Sequence, residues 1–215
     1  MKKIGLFIGL MLACAHLQAD VAVVNIWSAI PGNSNQLFKN GMEAKAIHET
    51  MGASVSIATD QQGDMHYVVS FTDWAAWGRF QDAAATNKAW LSFWQRASDQ
   101  GTAEISGTYM LNIATVAETK SASVVFSWDV EPAKTQDFVA LSLKSKAMHE
   151  RMGASIGILV DELGDVHYEM TFPSWEAWGK FQSKAESDKE WQAFYADSLE
   201  DSIASLIKVW RLSAM

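Results

Sequence analysis

Basic residues are in short supply, with 17 Lys and Arg against 25 Asp and Glu and a net charge of −8. Such a balance repels phosphate backbones and anionic lipid surfaces, and no Lys/Arg cluster offsets it, so nucleic acid is not an expected partner. Cysteine is rarer still: Cys14 is the only one. It lies in a stretch expected to be removed, which leaves neither disulfides, thiolate catalysis nor Cys-type metal sites. Beyond residue 19 no segment approaches the roughly 18 uninterrupted apolar residues of a transmembrane helix, so no membrane span is expected. Motifs of catalysis are also missing. There is no Gly-rich phosphate loop, no G-x-S-x-G elbow and no H-E-x-x-H. The acidic turns Asp60–Asp64 and Asp161–Asp165 are too short for a calcium loop of the EF-hand kind. No metal site and no cofactor are expected.

Apolar side chains are abundant instead. Hydrophobic residues make up 49% of the chain, with ten Trp, ten Phe and ten Met, enough for one large core or two small ones. The first 19 residues stand apart. Lys2 and Lys3 give a basic start, Ile4 to Ala15 is an apolar run, and His16 to Ala19 is a short polar stretch. This is the layout of a secretory signal peptide cleaved after Ala19, implying a periplasmic or secreted mature protein. The alternative is a lipoprotein anchored through Cys14, because "MLAC" loosely resembles a lipobox. Loss of Lys2 and Lys3 leaves 15 basic against 25 acidic residues, a net charge near −10.

The strongest internal signal is a repeat. At an offset of 101, residues 45–81 match 146–182 at 21 of 37 positions, "KAIHETMGAS" against "KAMHERMGAS" at their head. Two copies of about 100 residues are too few and too long for a solenoid. Two small domains are expected, 20–115 and 122–215, with a linker at 116–121.

Each copy has the same order of periodicities. "VAVVNIWS" and "ASVVFSWD" read as first strands, rich in β-branched and aromatic residues. A helical stretch follows, with Leu37, Ala44, Ile47 and Met51 recurring at helical spacing, and Gly52 or Gly153 placed to end it in a left-handed conformation. "ASVSIATD" and "ASIGILVD" lead through turns at Gly63 and Gly164 into "MHYVVSF" and "VHYEMTF". There Tyr67, Val69 and Phe71 point one way, and His66, Val68 and Ser70 the other. Asp73 and Ser174 are N-caps for a second helical region striped with Trp and Phe. "SDKE" at 187–190 reads as a capping box that restarts it. A final strand closes each copy.

The order β-α-β-β-α-β is the ferredoxin-like plan, an α+β fold in which two helices cover one sheet face. The uncovered faces of the two copies are expected to pack together as a barrel. The "MGAS" joint, the "F-x-x-W-x-x-W-G-x-F" run and "D-K-E-W-x-x-F" resemble the dimeric α/β-barrel superfamily, which includes antibiotic-biosynthesis monooxygenase-like and NIPSNAP-like proteins. The resemblance implies ligands on the barrel side, and activities from cofactor-independent oxygenation to haem breakdown. Haem-degrading members use an Asn-Trp-His set. Asn25 and Trp27 invite the comparison, but in those members the His follows a strand-three Trp by about ten residues. Here the positions ten and eleven after Phe71 hold Gln81 and Asp82, and those after Phe172 hold Gln182 and Ser183. Asn25 also becomes Phe126 in the second copy, so haem breakdown is not expected.

Two histidine pairs remain. His48 and His149 sit near a helix end, where the dipole favours an imidazolium and Glu49 or Glu150 is adjacent. His66 and His167 start the third strands. If the helices cover the Tyr/Phe face, these two line the barrel, either as proton acceptors in catalysis or as rim residues bonded to Asp64 and Asp165. Asn25, Trp27, Phe126 and Trp128 share one face of the first strands and are candidate ligand-binding residues. Three functions stay open: a binding protein for a small apolar or aromatic molecule, a cofactor-independent monooxygenase-type enzyme acting on a phenol or quinol, and an interaction module with a filled barrel. A cavity above about 300 Å³ at either histidine supports the first two. A further homodimer is also open.

Overall fold

The computed structural model describes residues 20–200 and 202–215; the leader, Cys14 and the expected cleavage point lie outside the described residues. The first half runs β1 (Val21–Ala29), α1 (Ser34–Thr50), β2 (Ser54–Asp60), β3 (Met65–Phe71), α2 (Trp74–Ala84), α3 (Lys88–Gln100) and β4 (Ala103–Thr115). The second runs β5 (Ala122–Val130), α4 (Thr135–Met152), β6 (Ser155–Asp161), β7 (Val166–Phe172), α5 (Trp175–Ser187), α6 (Lys189–Glu200) and β8 (Ala204–Ala214). Among the described residues the fold is α+β, with eight antiparallel strands and six helices.

Local chemistry sets the ends of these elements. Gly153 closes α4 at φ 112°, and Gly52 follows α1 at φ 87°, a region where a Cβ is strained. Asp73 caps α2 by accepting from the Ala76 amide, and Ser174 caps α5 by accepting from Ala177. The expected capping box at 187–190 is corrected by one residue. Asp188 is the cap, accepting from the Trp191 amide, while the Ser187 hydroxyl turns back onto the carbonyls of Ser183 and Lys184. A carboxylate is the stronger acceptor at a helix start.

The strands form one closed order, β1-β3-β2-β8-β5-β7-β6-β4. The halves do not meet merely as stacked open faces: their sheets join edge to edge. One seam pairs Ala58–Asp60 of β2 with Leu212–Ala214 of β8, and the other pairs Leu111–Thr115 of β4 with Ile158–Asp161 of β6. Closure in this way removes the unpaired edges that an open sheet exposes.

Alternation along each strand then creates two kinds of interior. Outward residues pack under the helices in two clusters, one around Leu37, Ile57, Tyr67, Phe71 and Phe80, the other around Phe138, Ile156, Ile158, Tyr168, Phe172 and Phe181. Phe172, Ile156 and Ile158 are wholly buried, each stabilising the fold by about 1.5–3 kcal/mol. Inward residues, His66, Val68 and Ser70 on β3 and His167, Glu169 and Thr171 on β7, face the barrel.

Candidate functional site

Two cavities lie on opposite faces of the sheet. The outer one, about 650 Å³, sits between β1, β3 and β4 and the helices of the first half. Its walls carry Trp27, Tyr67, Trp77, Phe80, Trp90 and Trp94, with Asn25 and Gln81 among the few polar groups. Trp94 and Ile105 line it and are about half exposed, so the aromatic wall continues to the surface. Thr108 donates to Asn25 Oδ1 at 3.1 Å, leaving the amide nitrogen of Asn25 to other partners.

The second half does not reproduce these walls. Phe126 stands where β1 has Asn25, Phe138 replaces Leu37, and Leu141 replaces Asn40. Phe126 and Trp128 are packed against the second core, with the Trp128 ring 5.5 Å from Phe138. The expected ligand-binding set is therefore divided: Asn25 and Trp27 face a cavity, and Phe126 and Trp128 help to fill the equivalent space.

His48 borders the outer cavity and has the hydrogen-bonded role open to a helix-end histidine rather than the solvated one. It is buried, its Nδ1 lies 2.9 Å from the Tyr67 hydroxyl, and the rings of Phe80 and Trp90 enclose it. Burial holds its pKa down at about 4, and burial pushes the Tyr67 hydroxyl up. Desolvation outweighs the helix dipole here. Nε2 of His48 is a buried atom without a hydrogen-bond partner among the described residues. His149 repeats the arrangement, 2.8 Å from Tyr168, with its pKa likewise at about 4.

The second cavity, about 270 Å³, is inside the barrel, so the barrel is not filled, although the space falls short of the expected size. His66 and His167 line it. Their carboxylate partners are Asp60 and Asp161, at 3.2 Å from each Nε2, which corrects the expected Asp64 and Asp165. The reason lies in the turns. Oδ1 of Asp60 accepts from the amides of Gln62 and Asp64, which turns Oδ2 inward, and Asp161 does the same with Leu163 and Asp165. Desolvation lowers the His66 pKa despite the pull of Asp60, favouring a neutral ring with Nδ1 outside the Asp60 bond.

Sequence reasoning missed the rest of this cluster. Tyr109 of β4 and Trp210 of β8 lie between the histidines, with the Tyr109 ring 5.2 Å from His167 and 5.7 Å from Trp210. The Ser127 hydroxyl is 2.6 Å from His167 Nδ1, completing a Ser–His–Asp line with Asp161. Ser127 is only 1% exposed and forms no part of the cavity wall. It therefore fixes the imidazole and meets no substrate. Glu169, two residues after His167 and on the same strand face, accepts from Ser123 at 2.8 Å, and burial raises its pKa. The spacing His167-Tyr168-Glu169 was the available signal. Among the described residues no group of three or more His, Asp or Glu is placed to hold a metal ion, and no helix is long and apolar enough to cross a membrane.

No protein-family profile and no curated protein matches the chain. Among solved structures, it is similar to a protein of Fusobacterium nucleatum provisionally named a monooxygenase, with TM-score 0.62, 13% identity, and coverage of 90% of this chain and 92% of that one. An anthrone oxidase-like protein gives TM-score 0.60 at 10% identity, covering 92% of each chain. The chlorite dismutase of Candidatus Nitrospira defluvii gives 0.53 at 8%, again covering 92% of each. At such identities the likeness is one of fold, a ferredoxin-like α+β architecture spanning both halves.

Proposed function

We propose that the protein binds a small, flat, largely apolar or aromatic molecule in the outer cavity. One observation carries this reading: a space of about 650 Å³ with a largely apolar wall that includes four Trp rings, within the range of drug-sized ligand sites. Stacking on the Trp rings supplies affinity, and the Asn25 amide supplies a donor that orients one acceptor of the ligand. Native mass spectrometry of protein isolated from its own host tests the proposal. One retained small molecule per chain is expected, lost in Asn25→Phe, which copies the second half. Retention undiminished in that variant would overturn the assignment.

The protein is further proposed to be exported, with the mature chain beginning at Asp20. Intact mass of the natural protein tests this. A lipid-modified Cys14 would select the anchored alternative, and a chain retaining residues 1–19 in the cytosol would sink both.

A second reading, cofactor-independent oxygenation of a phenol or quinol, is favoured by the neutral His66 ring held by Asp60 at the barrel cavity. Nδ1 of His66 would take the phenolic proton before oxygen reacts with the electron-rich ring, while Nδ1 of His167 is held by Ser127. Proteins of similar fold named as a monooxygenase and as anthrone oxidase-like make oxygen uptake the assay of choice. Uptake should fall at least tenfold in a His66→Ala/His167→Ala double variant; unchanged uptake would remove both from catalysis.

A further inference from the structure

The barrel cavity has a polar end that neither reading uses. At that end β4 passes into the segment 116–121, which runs past β6 and β7 to reach β5. It is tied down twice: the Glu118 amide donates to Ser155 Oγ, and Thr171 Oγ1 donates to the Glu118 carbonyl at 2.7 Å. Beneath it lies Glu169, one of whose carboxyl oxygens accepts from Ser123. A Cβ added at Gly157 would sit 3.2 Å from the other oxygen, Oε2, and 3.4 Å from Ala117 Cβ. Glycine at 157 thus leaves room for Glu169 and the connecting segment together. The first half has Val68, Ala22 and Ser56 at the places of Glu169, Ser123 and Gly157.

Glu169 lies deep in the fold yet is not fully covered, because it borders the cavity. Ser123 occupies one oxygen, and no protein hydrogen bond is made to Oε2 among the described residues. Burial favours the neutral carboxyl, which is both a donor and an acceptor. The cavity wall as a whole is largely apolar, with Val24, Leu111, Val125 and Leu212, and the one lysine that borders it, Lys120, is paired with Glu118, so it disfavours a charged ligand. The space of about 270 Å³ exceeds the roughly 150 Å³ apolar cavity known to take benzene.

We propose that the barrel interior is a second binding site, for a small uncharged monocyclic molecule whose carbonyl or hydroxyl group pairs with the Glu169 carboxyl. It shares the cavity of the oxygenase reading but requires no turnover. Glu169 sets the selectivity, Ser123 orients it, and the tied segment over this end limits how large a molecule fits.

Fluorine NMR titration with 4-fluoroacetophenone tests the site, using residues 20–215 carrying Asn25→Phe to narrow the outer cavity, where any binding is unmoved by substitutions at Glu169. Saturable binding at one site per chain is expected. Glu169→Gln, which keeps a donor and an acceptor, should hold the affinity within about threefold, and Glu169→Val should weaken it at least tenfold. Should the valine variant not fold, Ser123→Ala provides the measurement, with a loss of several-fold. No saturable binding, or equal binding by the glutamine and valine variants, would overturn the proposal. Ketone binding that persists where oxygen uptake is nil removes the oxygenase reading alone.

Discussion

His48 and His149 show how environment overrides position. Each sits near a helix C-terminus, where an imidazolium gains from the dipole, yet each is shut in by aromatic rings and bonded to a tyrosine hydroxyl. Their folded pKa values are held at about 4, against 6.5 unperturbed. A group depressed in this way contributes stability above pH 6.5 that is lost as the pH falls towards 4, roughly 3 kcal/mol for each ring. Glu169 works with the opposite sign, since burial opposes its ionisation and removes stability as the pH rises. Urea midpoints should therefore drop steeply between pH 6.5 and 4. A His48→Gln/His149→Gln variant, which never charges, should lose most of that slope. A slope unchanged by the substitutions would place the acid sensitivity elsewhere.

Between α1 and β3, the two halves solve one packing problem with swapped volumes. A Cβ on Gly41 would come 2.5 Å from Met65 Sδ. The second half carries Ser142 and Val166 at these places, both buried. The pair is expected to be coupled. Gly41→Ser alone should destabilise by about 1–3 kcal/mol through overpacking, and adding Met65→Val should recover at least half of that loss. Chemical denaturation of the four members of the cycle measures it; strictly additive effects would disprove the coupling. Elements of this kind were legible in the sequence because strand alternation and helical spacing are local. Tyr67 and His66 were separated onto opposite faces by that argument alone. The partners were not legible, because Asp60, Tyr109, Trp210 and Ser127 reach the histidines from other strands. Which strands adjoin depends on barrel closure, and the inward direction of Asp60 depends on its own turn. The outer cavity was half legible: Asn25 and Trp27 were found, but its size follows from a contrast in side-chain volume with Phe126 and Phe138.

The whole molecule joins two halves that have specialised in different directions. The first keeps a roomy space beneath its helices and has Ala22 and Val68 on the barrel wall. The second fills its outer space and has the polar Ser123 and Glu169 at those two places. Neither half has a complete interior alone, since its barrel-facing residues are covered only by the other half and two strand seams complete the sheet. Unfolding should therefore be one cooperative transition despite the repeat. Ile158→Ala provides the test, because Ile158 is wholly buried under the helices of the second half and its strand forms one seam. The deletion should cost about 2–5 kcal/mol. If the interior is shared, fluorescence of the first half's tryptophans, read with those of the second half changed to Phe, must shift in step with far-UV circular dichroism. A first-half transition that stays at its original denaturant concentration while the second half melts earlier would show two independent folding units, and the barrel would then be a contact between domains rather than a common core.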